Sequence, residues 1–243
     1  SSLLTNENKL RILGFSSGVV GKLSDNVSEE GDINELATSF ARGIVNGKSR
    51  HFDESDVIIV TGESGAGTTT LVKKLEKFLS KAEPRNKLKT LETDFSEGLK
   101  SVLETKMAGN VTSLFRKSSE GSHQEKRILI GFDGRPEDLP KHLYKIAEFN
   151  PELKVSVLYA LEVGKSYHHV SDLLRKFDLP DVYIALTKMD LFEVSTAELS
   201  AISDASRKIL FFSGLKIIED GLDFAKVAVM ESFLTNLIDN ESW

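Results

Sequence analysis

From Asp56 onward, short apolar runs alternate with segments whose apolar residues recur at helical spacing. The runs at 56–61, 88–93, 127–132, 154–160, 181–187 and 208–213 are rich in Val, Ile, Leu and Phe and predict strands. Between them, sets such as Val170, Leu173, Leu174 and Phe177 predict one apolar helix face, and a C-terminal helix is expected to carry Phe224, Val227, Val229, Phe233 and Leu237. Strands buried on both faces and separated by helices specify an α/β protein with a doubly wound, mostly parallel sheet. Residues 1–52 read differently. Ile33, Leu36, Phe40 and Ile44 share one face of a helix over 32–45, whereas Gly14 to Gly31, rich in Ser and Gly, predicts a poorly ordered or weakly helical stretch. Asn46 to Arg50 reads as a helix stop and linker. The expected division is a short helical N-terminal segment, 1–52, and an α/β domain, 53–243. Gly109 to Lys126 is polar and Ser-rich and predicts a mobile loop.

The strand at 56–61 leads into Gly62-Glu63-Ser64-Gly65-Ala66-Gly67-Thr68-Thr69-Thr70, and Leu71 to Leu79 continues as an amphipathic helix. Strand, glycine-rich turn and helix in that order form a phosphate-binding loop. Glycines let successive N–H groups face one point, and the helix N-terminus adds the positive end of its dipole. Thr69 stands where a hydroxyl ligates Mg²⁺, but Thr68 occupies the place of the lysine that neutralises the phosphates. A charge-assisted hydrogen bond contributes about 1.5–3 kcal/mol. Its loss predicts nucleotide binding weakened about ten- to a hundredfold, and hydrolysis impaired further, because charge builds on the phosphoryl oxygens in the transition state. Glu63 adds a carboxylate at the rim.

Composition narrows the field. The 243 residues suffice for one α/β domain with an appendage, and 40% hydrophobic with 28% charged content is that of an ordinary globular chain. A net charge of −6, with no Lys/Arg stripe interleaved with aromatics, argues against a nucleic-acid partner. The absence of cysteine excludes disulfides, thiolate metal sites and cysteine nucleophiles and fits a cytoplasmic setting. No apolar run reaches the length of about 18 residues that spans a bilayer. His51, His123, His168 and His169 lack metal-ligand spacing and are expected to be solvated or packed. The 32–45 helix has a narrow apolar face without a basic flank, so it is expected to pack on the main domain and not on a membrane.

The strand Val182 to Leu186 ends in Thr187-Lys188-Met189-Asp190. An aspartate there can accept two hydrogen bonds from the N1 and N2 edge of guanine, and adenine would leave it unpaired. Lys188 can lay its aliphatic stem over the base.

With these motifs in place the chain resembles the signal-recognition-particle-type GTPases, the group of FlhF and FtsY, over about residues 54–240. Gly62 to Thr70 is similar to that family's G-x-x-G-x-G-K-T-T-T, Ile128 to Arg135 to its strand ending in D-T-A-G-R, and Thr187 to Asp190 to T-K-x-D. Thr93-Asp94 falls where the family has an aspartate after its second strand, Gly214 to Asp220 resembles the late G-Q-x-V-P-E-D loop, and Arg175 to Tyr183 is FlhF-like. The resemblance implies a P-loop fold, GTP with Mg²⁺ as ligand, and a role in protein targeting or polar flagellar assembly. It also implies a protein partner engaged as a homo- or heterodimer through the nucleotide face, and a cytoplasmic protein with peripheral association at the inner face of the membrane left open.

The departures concentrate on phosphate and magnesium chemistry. Besides Thr68, the magnesium-associated aspartate of D-T-A-G-R is Gly131, with Asp133 two residues on; Ser96-Glu97 replace the catalytic arginine of D-T-x-R; and Leu215 replaces the late glutamine. The expected protein is therefore a divergent switch or scaffold with weak or absent GTP and Mg²⁺ binding and slow or absent hydrolysis. Gly62 to Thr70, Thr187, Lys188 and Asp190 hold nucleotide, Thr69 the metal, and Arg135 is the candidate catalytic or interface residue. The rival reading is an active GTPase in which another basic residue, such as Lys165, or a partner supplies the missing charge.

Overall fold

The computed structural model describes residues 4–25, 32–82, 87–98, 126–177, 179–215 and 221–241. All but the last residue of the Gly109 to Lys126 stretch lies outside them, as do Glu29, Glu30, His123 and the Lys216 to Asp220 part of the late loop.

Four helices come first: α1 (Asn6–Ile12), α2 (Ser17–Ser24), α3 (Ile33–Ile44) and the single turn α4 (Arg50–Asp53). Then follow β1 (Val57–Gly62), α5 (Thr68–Ala82), β2 (Lys87–Thr93), β3 (Lys126–Phe132), a 3-10 turn (Pro136–Asp138) and α6 (Leu139–Phe149). The chain continues through β4 (Val155–Glu162), α7 (Tyr167–Lys176), β5 (Val182–Thr187), α8 (Thr196–Asp204), β6 (Lys208–Ser213), β7 (Leu222–Phe224) and α9 (Val227–Asp239). The seven strands form one sheet in the order β2-β3-β1-β4-β5-β6-β7, with β7 antiparallel to β6 and every other neighbouring pair parallel. Each predicted strand is present, with ends displaced by two residues at most.

Both faces of the sheet are covered, which explains the uninterrupted apolar strands. In β1, Val57 and Ile59 enter the core under the N-terminal helices and α6–α9, while Ile58 and Val60 enter the core under α5. Outward polar positions are therefore unnecessary along a central strand.

Three details correct or sharpen the expectations. The Ser/Gly-rich stretch contains a formed helix, α2, with Val19, Val20 and Leu23 buried. The Ser16 hydroxyl accepts from the Val19 N–H at 3.2 Å and donates to Asp204 at 2.7 Å. A Cβ on Gly18 would stand 2.6 Å from Asp204 Oδ1, so the glycine that reads as disorder permits a close docking. Second, α9 carries Val227, Val229, Phe233 and Leu237 as expected, partly covered, while its most buried residues are Met230, Leu234 and Ile238, so the helix is apolar around much of its girth. Third, Phe224 belongs to β7, too short to register as a strand by pattern, where it stacks on Phe211 with centroids 4.7 Å apart. α3 buries Ile33, Leu36, Phe40 and Ile44 as expected and packs on α9. No helix among the described residues is long and apolar enough to cross a membrane.

Candidate functional site

The C-terminal ends of the parallel strands lie together, and the loops that leave them carry the motifs. β1 delivers Gly62 to a turn in which Ala66 N–H donates to Glu63 O at 3.0 Å, and Gly65 and Gly67 take φ of +83° and +86°. These left-handed values suit glycine, and a Cβ on either would meet nothing within 4 Å, so both face open space. The N–H groups of Ser64, Gly65, Gly67, Thr68 and Thr69 take no protein acceptor among the described residues. They are unsatisfied donors gathered at a helix start, an arrangement suited to an anion such as phosphate. Thr68 Oγ1 lies 3.1 Å from where a Cβ on Gly62 would stand, close to Ala160 of β4, and a threonine brings no cation there. Thr69 and Thr70 are exposed.

β5, the strand that leads into Thr187-Lys188-Met189-Asp190, is fastened to this loop. Thr187 is buried, and its hydroxyl donates to Ala66 O at 2.7 Å. Thr187→Val is expected to leave that carbonyl unpaired and lower stability by about 1–3 kcal/mol, read by urea denaturation, with faster amide exchange in 63–67. An unchanged midpoint would show that the bond holds nothing. The turn after Thr187 places Lys188 at φ +58° and leaves Asp190 exposed, without a protein partner among the described residues. A Cβ on Gly214, at φ +97°, would stand 2.6 Å from Asp190 Oδ1, so the β6 loop packs directly against the aspartate.

Charge around the loop is balanced. Lys188 Nζ lies 2.6 Å from Glu162 Oε1, and Lys165 Nζ lies 3.0 Å from Glu162 Oε2. Hydrogen bonds from Lys188 first and Lys165 second hold the Glu162 carboxyl below the ordinary range. Lys165, the substitute cation of the rival reading, is thus shared with an acid. Glu63, at the rim, pairs with His169 Nε2 at 3.0 Å. Beneath the loop a cavity of about 30 Å³, bounded by Ala66, Tyr159 and Glu162 among others, has room for a water and no more. Burial, and next the field of Glu63, push the Tyr159 hydroxyl above its usual pKa and keep it protonated.

The corner where β2 and β3 end is packed with rings. Phe95, at φ +59°, stacks on Phe132 with centroids 5.7 Å apart, and His142 of α6 lies 5.0 Å from Phe95 and 5.8 Å from Phe132. Burial, and then nearby Lys145, lower the His142 pKa and favour its neutral ring. Asp94 accepts the Ser96 N–H at 2.8 Å, and Asp133 donates its N–H to Thr93 O at 3.0 Å, tying the two loops together. Arg135 is exposed and bonds Asp138 at 3.0 Å. A Cβ on Gly131 would lie 3.2 Å from Glu92 Cγ and 3.3 Å from Val72 Cγ2. Among the described residues no group of three or more His, Asp or Glu is placed to hold a metal by itself.

The structure therefore brings residues 62–70 together with Thr187, Lys188 and Asp190, and sets Arg135 in the loop after β3, the neighbour of β1 on the side away from β4 and β5. Sequence reasoning passed over Glu162, the Glu63–His169 pair and the Phe95–Phe132–His142 cluster. Only the last leaves a trace in the sequence, as an aromatic at or just beyond the end of each of two strands. The free N–H groups, the exposed Thr69 hydroxyl and the open Asp190 carboxylate fit a guanine nucleotide with Mg²⁺, with fewer positive charges than its phosphates call for.

No family model matches this chain, and no curated protein does. Solved structures match its fold. A crystal structure of FlhF complexed with GTP and Mg²⁺ is 16% identical, with a TM-score of 0.60 over 96% of this chain and 97% of that one. Chloroplast FtsY from Physcomitrella patens is 15% identical, with a TM-score of 0.61 over 94% of this chain and 85% of that one. The signal recognition particle receptor FtsY from Elizabethkingia anophelis is 17% identical, with a TM-score of 0.56 over 96% and 84% respectively. At such identities the likeness is one of fold.

Proposed function

We propose that this chain is a divergent GTPase-like switch or scaffold of the signal-recognition-particle type, acting in protein targeting or polar flagellar assembly, that binds GTP weakly and hydrolyses it slowly or not at all. The observation that carries this reading is the buried Thr187–Ala66 hydrogen bond, which makes the phosphate cradle and the strand bearing Asp190 one mechanical unit. In this reading the N–H groups of Ser64, Gly65, Gly67, Thr68 and Thr69 hold the phosphates, the Thr69 hydroxyl faces Mg²⁺, and Asp190 accepts from the guanine edge. Mg²⁺, when bound, neutralises phosphate charge that no lysine meets here. Hydrolysis is slow because Thr68 brings no cation to the γ-phosphate and Ser96-Glu97 stand where the resemblance places an arginine, beside a corner occupied by packed rings. Residues 1–52 act as an abbreviated helical N-terminal domain and 53–243 as the GTPase-like domain. The partner is a protein of a targeting, flagellar or secretion assembly that meets the nucleotide face, with Arg135 at its edge.

Isothermal titration with GTP and with ATP, each with Mg²⁺, tests the reading. GTP is expected to bind and ATP to bind more weakly. Asp190→Asn is expected to reduce GTP affinity about ten- to a hundredfold while leaving ATP unchanged. Equal binding of both nucleotides, or binding of neither at millimolar concentration, sinks the proposal.

A further inference from the structure

Position 131 is a glycine for a reason visible in its surroundings. A side chain there would have to stand within 3.2 Å of Glu92 Cγ and 3.3 Å of Val72 Cγ2, tighter than ordinary van der Waals contact. Glu92 and Gly131 are register partners in the parallel β2–β3 pair, so their side-chain directions leave the sheet on the same face. That face is the one under α5, because Val72 belongs to the core on that side. Glu92 thus leans its stem across β3 into the space a residue at 131 would use. Its carboxylate is exposed and takes no protein partner among the described residues. Val72 follows Thr69 by three residues and lies on the same side of α5, which puts the Thr69 hydroxyl one turn nearer the helix start on the surface that Glu92 approaches.

We infer that Glu92 supplies from β2 the carboxylate that the resemblance places at position 131 of β3, and that it acts toward the Mg²⁺ of bound GTP. The acid has moved by one strand, and the extra methylene of glutamate gives it the reach. The glycine at 131 is then the space that the relocated side chain needs. This rests on the reading of the site as one for GTP with Mg²⁺.

The test measures GTP affinity by isothermal titration in Mg²⁺ and in EDTA, together with the melting temperature of the unliganded protein. Glu92→Gln is expected to keep the EDTA affinity and to reduce the gain from Mg²⁺ about tenfold or more. Asp133→Asn, the neighbouring acid, is expected to leave that gain intact. Gly131→Asp alone is expected to lower the melting temperature, and Glu92→Ala in the same chain to relieve it and restore the Mg²⁺ gain from β3. A Glu92→Gln protein with an unchanged Mg²⁺ gain, or a loss that follows Asp133 instead, overturns the inference while leaving the GTP site standing. A Gly131→Asp defect that Glu92→Ala does not relieve removes its packing basis. No GTP uptake in either buffer overturns the site and the inference together.

Discussion

Thr68→Lys is expected to tighten GTP binding about ten- to a hundredfold, the largest functional effect open to one substitution in this chain. Residue 68 is the first of α5, and the free N–H groups of the preceding turn already point into open space. What is missing is a mobile cation beside them. Threonine carries a neutral hydroxyl near Gly62, and the nearby lysines 165 and 188 are both held by Glu162. The same substitution carries a second, opposite signature. A cation in the first turn of a helix opposes the helix dipole, so the unliganded variant is expected to be less stable by about 0.3–1 kcal/mol. Saturating GTP then reverses the order, because ligand stabilisation grows with the logarithm of ligand over dissociation constant. Calorimetric titration and melting curves with and without GTP read both effects. Unchanged affinity would mean that the N–H groups do not converge on a phosphate, and the reading of residues 62–70 as a cradle would fall.

Phe211→Ala is expected to have the largest effect on stability, about 3–5 kcal/mol. The ring is fully buried, stacks on Phe224 at 4.7 Å, and meets Phe52 at 5.5 Å and Phe78 at 5.7 Å edge-on. Truncation removes the buried ring and leaves a cavity among residues from α4, α5 and β7 that cannot all collapse into it. Against a total of about 5–15 kcal/mol for a typical protein, that loss brings the chain near its unfolding threshold. Phe78 sits on the helix that begins at Thr68, so GTP affinity measured well below the transition is expected to fall as well. Phe211→Leu, which keeps most of the apolar volume, is expected to lose less than half as much. A urea midpoint nearly unchanged in the alanine variant would show that the cluster is slack.

The placement of strands and the loops that bear the motifs was legible in the residues alone. A run such as Val57 to Val60 has no polar alternation, and only a strand covered on both sides accommodates it. Strand, glycine turn and helix in succession are local in the chain, as is Thr187 to Asp190 at a strand end. Their chemistry therefore follows from short-range order, and so does the conflict created by Thr68.

Contacts between segments distant in sequence were decided only by the tertiary structure. The docking of Ser16 and Gly18 on Asp204 turns a Ser/Gly stretch into a buried helix. Thr187 and Ala66 are 121 positions apart, and nothing in either motif announces the bond that joins them. Gly131 reads in one dimension as a lost aspartate, whereas the sheet register sets it beside Glu92, whose Cγ stands 3.2 Å from where a side chain at 131 would begin. Periodicity reports which residues face a core. The pairing of strands, which depends on the whole chain burying its apolar surface at once, determines which side chains meet.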